Sequence, residues 1–303
     1  MVTTTSRAST RRAAGTGPDD AGDDPSALPQ RIVVPVDGSP FAERALPIAT
    51  WAAGTLGVPV HLVEVVGTGA GADDATVHLD DLARRHGAAG WNVARSDDPG
   101  RAIVTAARVG GTGLVCLATH GRDRSAAALG SVAMTVLDVS TDPVLLVGPA
   151  ARPPCADDSP VVVAVDGTAD DDALTRSAAT WSAWLRRPLV VATVAEPVPG
   201  SFRPDRPTRR ARGPADPEAY VARMAAAAAA AAGPGTRVDA RVAYDPVSVR
   251  DGVVDLVDRT AALLVVGTHR RTRPRRAVVG SHAARIVHDL EVPALVVPLD
   301  AGG

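Results

Sequence analysis

The chain repeats itself, and this duplication constrains its fold more than any other feature. The segment RIVVPVDGSPFAERALPIATWAA matches PVVVAVDGTADDDALTRSAATWSAW, and the match places Asp37 opposite Asp166. Further along, LVCLATH aligns with LLVVGTH, and Gly130-Ser131 aligns with Gly280-Ser281. Internal self-similarity is the mark of a duplicated structural unit. The 303 residues are also enough for two domains of ordinary size. The sequence therefore predicts two tandem copies of one domain.

Composition around the repeats predicts the domain boundaries. We expect a disordered tail over residues 1–29, because its Thr, Ser, Gly, Pro and Asp content cannot build a core. The first domain then covers 30–149, a linker covers 150–159, and the second domain covers 160–299. The second copy is longer by a Pro- and Arg-rich insertion at 196–217, whose prolines exclude a helix or a central strand.

Each copy alternates apolar strand segments with helical segments. The unbroken run RIVVPV is typical of a strand that is buried on both faces. The predicted strands of the two copies are RIVVPV, Val60–Val66, Trp91–Arg95, Leu114–Thr119 and Val144–Val147, then Val161–Val165, Leu189–Ala195, Arg237–Tyr244, Ala262–Gly267 and Ala294–Val297. Alternation of this kind predicts the α/β class, with a five-stranded parallel sheet in each copy and helices on both faces.

Composition excludes several kinds of chemistry. The chain contains no lysine, which excludes a Walker-A phosphate loop and a lysine Schiff base. The net charge of −2 argues against nucleic-acid binding through the whole surface. The histidines form no HExxH motif and no Cys/His cluster, so no metal site is predicted from protein ligands alone.

Apolar segments and cysteines indicate the compartment. The longest apolar runs are far shorter than the roughly 20 residues that span a bilayer. The first residues lack the apolar stretch of a secretory signal. Cys116 lies in a predicted buried strand and Cys155 lies in the linker, so we expect no disulfide and a reducing compartment. The expected location is the cytoplasm.

Polar residues and glycines follow the strands at the ends where open α/β sheets bind ligands. Asp37 and Asp166 end the first strands, and a Gly-Ser pair opens the helix after each fourth strand. Such a helix start offers main-chain N–H groups and a positive dipole to an anion. Two other interpretations stay open: the Gly-Ser pairs are a turn glycine and an N-cap serine, and the aspartates are helix-start caps.

These motifs resemble those of the universal stress protein family. VPVDGSPFAERAL, LATHGRDRSAAALGSVAMTVL and DPVLLV carry the resemblance, and the second copy has weaker versions of all three, so it covers the chain from Arg31 to Pro298. The resemblance implies two tandem Rossmann-like domains of the adenine nucleotide α-hydrolase-like kind. Many members bind ATP through G-x2-G-x9-G-[S/T], often with a divalent metal such as Mg²⁺, whereas others lack the motif and bind no nucleotide.

The resemblance assigns candidate site residues to each copy. In the first copy Ala118 replaces the leading glycine and the spacer is one residue short. In the second copy the nine-residue spacing is kept, but Arg270 replaces the second glycine. The nucleotide-binding positions implied are Asp37, Val65, Ala118, Gly121, Gly130 and Ser131 in the first copy, and Asp166, Val194, Gly267, Arg270, Gly280 and Ser281 in the second.

The predicted function is an ATP-binding or adenine-nucleotide-binding regulatory module of the stress response, with at most slow ATPase activity. The alternative is a nucleotide-free member that binds a protein partner, not identified by sequence, through its diverged loops. The resemblance also implies that the two halves pair through Val144–Val147 and Ala294–Val297, and it leaves a homodimer open. The Arg-rich loops 201–213 and 270–276 are either solubilising or a docking surface. Nucleic acid is disfavoured because Phe202 is the only aromatic residue there.

Overall fold

The computed structural model of the chain describes residues 5–6, 27–69, 71–119, 129–195, 214–244, 249–257, 260–269 and 286–299. The chain divides into two compact units between Pro149 and Ala150. Most of the predicted tail 1–29, most of the insertion 196–217 and both Arg-rich loops lie outside the described residues. The same holds for the candidate site residues Gly121, Arg270, Gly280 and Ser281.

The first half contains a five-stranded parallel sheet, as the sequence predicts. Its strands are β1 (Arg31–Val36), β2 (Val60–Val66), β3 (Gly90–Arg95), β4 (Gly113–Ala118) and β5 (Val144–Val147). Its helices are α1 (Ala45–Leu56), α2 (Asp73–His86), α3 (Pro99–Arg108) and α4 (Ser131–Val139), with a short 3₁₀ turn at Ala42–Arg44. The strand order across the sheet is β3-β2-β1-β4-β5.

One short strand lies outside this prediction. Thr5–Ser6 pairs antiparallel with β3, with Thr5 opposite Val93 and Ser6 opposite Asn92. The sequence predicts a disordered tail here and parallel strands alone, so these two residues correct that expectation. An edge strand such as β3 presents a row of main-chain groups with which a further strand can pair.

The second half repeats the arrangement of the first. Its strands are β6 (Val161–Ala164), β7 (Leu189–Ala195), β8 (Val238–Tyr244), β9 (Leu263–His269) and β10 (Ala294–Leu299). Its helices are α5 (Asp171–Leu185), α6 (Pro217–Ala232) and α7 (Val249–Val257), and residues 286–289 are helical too. The strands are again parallel, in the order β8-β7-β6-β9-β10. The predicted α/β fold is confirmed in both halves.

Local sequence accounts for most of the element boundaries. Gly57 and Gly87 end α1 and α2 with φ of 71° and 67°, the left-handed conformation that glycine adopts without strain. Asp98 caps α3 by accepting a hydrogen bond from the Arg101 N–H, and a proline follows the cap as the first helical residue. Asp216 caps α6 in the same way.

Buried apolar strands form the core of each half. In β1, Ile32 and Val34 are fully buried, and in β9 Leu264 and Val265 are fully buried as well. Strands covered by helices on both faces bury consecutive residues, which is why these runs are apolar without alternation. Among the described helices, none combines the length and the apolar character needed to cross a membrane.

Candidate functional site

Strand order reverses beside the first strand of each half. In the first half β2 and β4 flank β1, and in the second half β7 and β9 flank β6. Open α/β sheets bind ligands at this point, outside the carboxyl ends of the strands. We call the space at the carboxyl ends of β1 and β4, or of β6 and β9, the switch-point crevice of that half. The described first-half candidates Asp37, Val65, Ala118, Gly130 and Ser131 all lie at this edge of their sheet.

Asp37 caps a turn in the first-half crevice. Its Oδ1 atom accepts a hydrogen bond from the Ser39 N–H at 2.9 Å, and the intervening Gly38 has a φ of 77°. The buried Ser39 then accepts a hydrogen bond from the Ala42 N–H at 3.2 Å through its Oγ atom. Because α1 begins only at Ala45, Asp37 does not cap that helix, and the alternative interpretation of Asp37 as a helix cap is wrong.

Gly130 and Ser131 open α4 at the other side of the crevice. Gly130 is the N-cap residue, and its N–H donates to the Thr119 carbonyl at 2.8 Å. Ser131 is therefore the first helical residue rather than the N-cap. Among the described residues no side chain caps this helix, so its first-turn N–H groups have no side-chain acceptor there. A helix start of this kind favours an anion through its N–H groups and its dipole.

A buried carboxylate beside this crevice was missed from the sequence. Glu64, one residue before Val65 in β2, is 9% exposed, and its Oε2 atom lies 2.9 Å from His78 Nδ1. The Nε2 atom of His78 lies 3.7 Å from Glu43 Oε1, on the 3₁₀ turn that follows Ser39. The histidine therefore connects α2 to the segment after the Asp37 turn. A carboxylate in the apolar run VHLVEVV was the one signal that a buried partner exists.

The second-half turn has the same backbone and a different partner. Asp166 Oδ1 accepts from the Thr168 N–H at 3.2 Å, and Gly167 has a φ of 86°. The N–H groups of Asp166 and Gly167 donate to Asp171 Oδ2 at 3.1 and 2.8 Å. The hydroxyl of Tyr220 donates to the same oxygen at 2.7 Å. The Oδ2 atom of Asp171 thus accepts three hydrogen bonds.

Burial controls the ionisation of this group. Asp171 is 3% exposed, and desolvation raises the pKa of its carboxyl, while the hydrogen bonds from Tyr220 and Gly167 act in the opposite direction. The pKa of Tyr220 is raised, first by burial and then by its hydrogen bond to Asp171. The sequence analysis missed Asp171 because it stands in a run of three aspartates with no local sign of which one is buried.

Gly267 lies close to leucine side chains of its own half. A Cβ atom at this position would lie 2.3 Å from Leu299 Cδ1 and 3.6 Å from Leu174 Cδ2. Leu299 is 6% exposed, in the part of β10 that extends past the predicted end at Val297. Only glycine fits beside this leucine without a shift of the neighbours. Val194, the remaining described candidate, is buried in β7.

The strand order, and the turns at the point where that order reverses, define the class of protein. Each half is a doubly wound α/β domain of the Rossmann type. Residues 159–298 match the model of the universal stress protein family. The second half therefore matches this family by sequence, and the first half shares the fold. No curated protein matches the chain by sequence.

Three solved structures resemble both halves together. A universal stress protein from Archaeoglobus fulgidus is 18% identical, with a TM-score of 0.63, over 90% of this chain and 99% of that one. A putative universal stress protein from Pseudomonas aeruginosa is 18% identical, with a TM-score of 0.58, over 91% and 95%. A functionally unknown protein from Pseudomonas aeruginosa is 18% identical, with a TM-score of 0.59, over 93% and 95%. At this identity the likeness shows the fold alone.

Proposed function

We propose that the first half binds an adenine nucleotide, ATP, in its switch-point crevice, and that binding regulates contacts with a protein partner. The observation that carries the proposal is the start of α4 at Ser131, without a side-chain cap among the described residues, next to the Asp37 turn at the reversal of strand order. The resemblance to the universal stress protein family supports it, because the first copy keeps three of the four residues of the family's phosphate motif and the aspartate of its adenosine contact.

The residues present fit a nucleotide. Among the described residues the N–H of Gly38 has no acceptor, so it remains available to a ligand beside Asp37. The phosphates would lie at the start of α4, beside its first-turn N–H groups and the exposed Ser131. Because the chain has no lysine, main-chain N–H groups and arginines would have to balance the phosphate charge.

A metal ion would enter with the nucleotide. Within the part of the chain that the structure describes, no group of three His, Cys, Asp or Glu residues could hold an ion. Mg²⁺ is commonly bound by substrate phosphates with one or two protein oxygens, and Ser131 offers a hydroxyl for that purpose. We propose a binding module rather than an enzyme with rapid turnover.

Calorimetric titration of the full chain with ATP, with and without Mg²⁺, tests the proposal. The informative variant is Gly130→Leu, because Gly130 has a φ of −58° that any residue adopts, so the added side chain obstructs the start of α4 without straining the backbone. Gly54→Leu is the matched control, since a Cβ at Gly54 in α1 meets nothing within 4 Å. We expect Gly130→Leu to weaken ATP binding by about tenfold or more, the loss of at least one charge-assisted hydrogen bond, and Gly54→Leu to bind as the wild type does.

Two outcomes contradict the proposal. Absence of ATP binding by the wild-type chain would overturn it and favour the alternative, a nucleotide-free protein-interaction module. Release of phosphate from ATP above background, lost in Gly130→Leu, would show that the module is an enzyme after all.

A further inference from the structure

The two switch-point crevices differ in what occupies the N–H groups of the turn. In the second half, Asp166 and Gly167 both donate to the Asp171 carboxylate, five residues after Asp166. At the matching place after Asp37 the first half has Ala42, which has no acceptor in its side chain. The second half therefore supplies an anion to the turn from a position at which the first half has only an alanine side chain.

Asp171 is held in place from a second helix. The Tyr220 hydroxyl on α6 donates to Asp171 Oδ2 at 2.7 Å, and Asp171 itself begins α5. Thr168 Oγ1 lies 3.4 Å from Asp171 Oδ1, so both carboxylate oxygens have a donor on the turn or on α6. A ligand oxygen could reach these turn N–H groups only by displacing a carboxylate that three strong donors already satisfy.

The two halves also differ at the carboxyl ends of their fourth and fifth strands. In the second half, the pairing of β9 with β10 continues to His269 and Leu299, and the Leu299 side chain fills the room beside Gly267. In the first half, the pairing of β4 with β5 stops at Ala118 and Val147, and the residue that corresponds to Leu299 is the exposed Pro149. A buried leucine thus lies beside the strand glycine in the second half, and its counterpart in the first half is an exposed proline.

We propose that the second half closes its own crevice with the Asp171 carboxylate and the Leu299 side chain, so that each chain binds one nucleotide, in its first half. This inference rests on the function proposed above and states which half performs it. The second half is then a ligand-independent domain, and its phosphate-motif glycine at Gly267 is retained for packing against Leu299.

The stoichiometry of ATP binding tests the assignment in the full chain. We expect calorimetry to give one ATP per wild-type chain, and Gly130→Leu to weaken that single binding event by about tenfold or more. Two ATP molecules per chain, or one that persists at full affinity in Gly130→Leu, would overturn the inference while leaving nucleotide binding by the family fold intact.

Amide hydrogen exchange by NMR, without nucleotide, tests whether the second-half crevice is closed, even if ATP does not bind and the proposed function fails. We expect the Gly167 amide to exchange about tenfold or more slowly than the Gly38 amide, as expected for one strong internal hydrogen bond to a charged acceptor. Asp171→Ala should abolish this difference, and Tyr220→Phe, a milder change, should reduce it. Equal protection of Gly38 and Gly167 in the wild type would refute the closed crevice without reliance on any variant.

Discussion

The close contact between Gly267 and Leu299 leads to a quantitative prediction for Gly267→Ala. The new Cβ atom would lie 2.3 Å from Leu299 Cδ1, far inside the roughly 3.5–4.0 Å of a normal carbon contact. Leu299 must then leave its rotamer or the strand must move, and overpacking of this kind costs about 1–3 kcal/mol. Alanine is favoured over glycine in a strand by about 0.5–1 kcal/mol. We therefore expect a net loss of about 1–2 kcal/mol in the free energy of unfolding.

A double-mutant cycle separates the contact from the general cost of substitution. Leu299→Ala alone should cost about 2–5 kcal/mol, because it empties a buried site. Once Leu299 is shortened, the methyl group that Gly267→Ala adds has space beside it. The double variant should therefore be about 1–3 kcal/mol more stable than the sum of the two single effects predicts. Ala118→Gly is the matched control in the first half, where the natural residue is already alanine, and it should cost about 0.5–1 kcal/mol.

Urea unfolding followed by tryptophan fluorescence measures these values. Trp181 and Trp184, whose rings form an edge-to-face pair in α5, report on the second half. If Gly267→Ala is as stable as the wild type, or if the two single effects simply add, Leu299 does not fill the room beside Gly267 and the reasoning fails.

Three further predictions follow from buried groups elsewhere. Gly100→Ala should lower the free energy of unfolding by about 1–3 kcal/mol, because its Cβ would lie 2.5 Å from Thr135 Cβ. Gly54→Ala should raise it by about 0.5–1 kcal/mol, because the new Cβ meets nothing within 4 Å. Urea midpoints of the two variants that move in the same direction would contradict this. Burial raises the pKa of the Cys116 thiol, so a thiol reagent should modify only the exposed Cys155 until the chain is unfolded. Rapid reaction of both thiols in the folded chain would contradict the burial of Cys116. Because burial raises the pKa of Asp171 in the folded state, the folded chain binds a proton more readily than the unfolded chain. The stability of the wild type relative to Asp171→Asn should therefore rise as the pH falls through that raised pKa towards the ordinary carboxyl value. A stability difference that does not depend on pH would contradict this.

Sequence patterns predicted the elements that local chemistry controls. The predicted strands Val60–Val66, Leu189–Ala195 and Val144–Val147 match the observed bounds, because apolar runs between turn residues are a local signal. The bounds of α3 also follow from local sequence, since a capping aspartate stands directly before the helix and a proline is its first residue.

Sequence patterns failed where two distant segments meet. Nothing near Asp171 distinguishes it from Asp170 and Asp172, and only the approach of Tyr220 on α6 and of the Asp166 turn selects it. The extension of β10 to Leu299 was missed for the same reason, because its pairing partner His269 lies in another part of the chain. The glycine of a phosphate motif and the glycine of a packed strand are identical in sequence, and the contact with Leu299 is what distinguishes them at Gly267.

The amino-acid sequence by itself determined the duplication, the α/β class, the parallel strands and the Asp-Gly turns at the strand ends, because periodicity and turn chemistry act over a few residues. Tertiary structure alone decided how the two crevices differ. Whether a turn N–H meets a carboxylate, and whether a glycine meets a leucine, depends on which side chains from distant elements are buried together. Burial of this kind is a property of the whole packed half and cannot be assigned from any one segment.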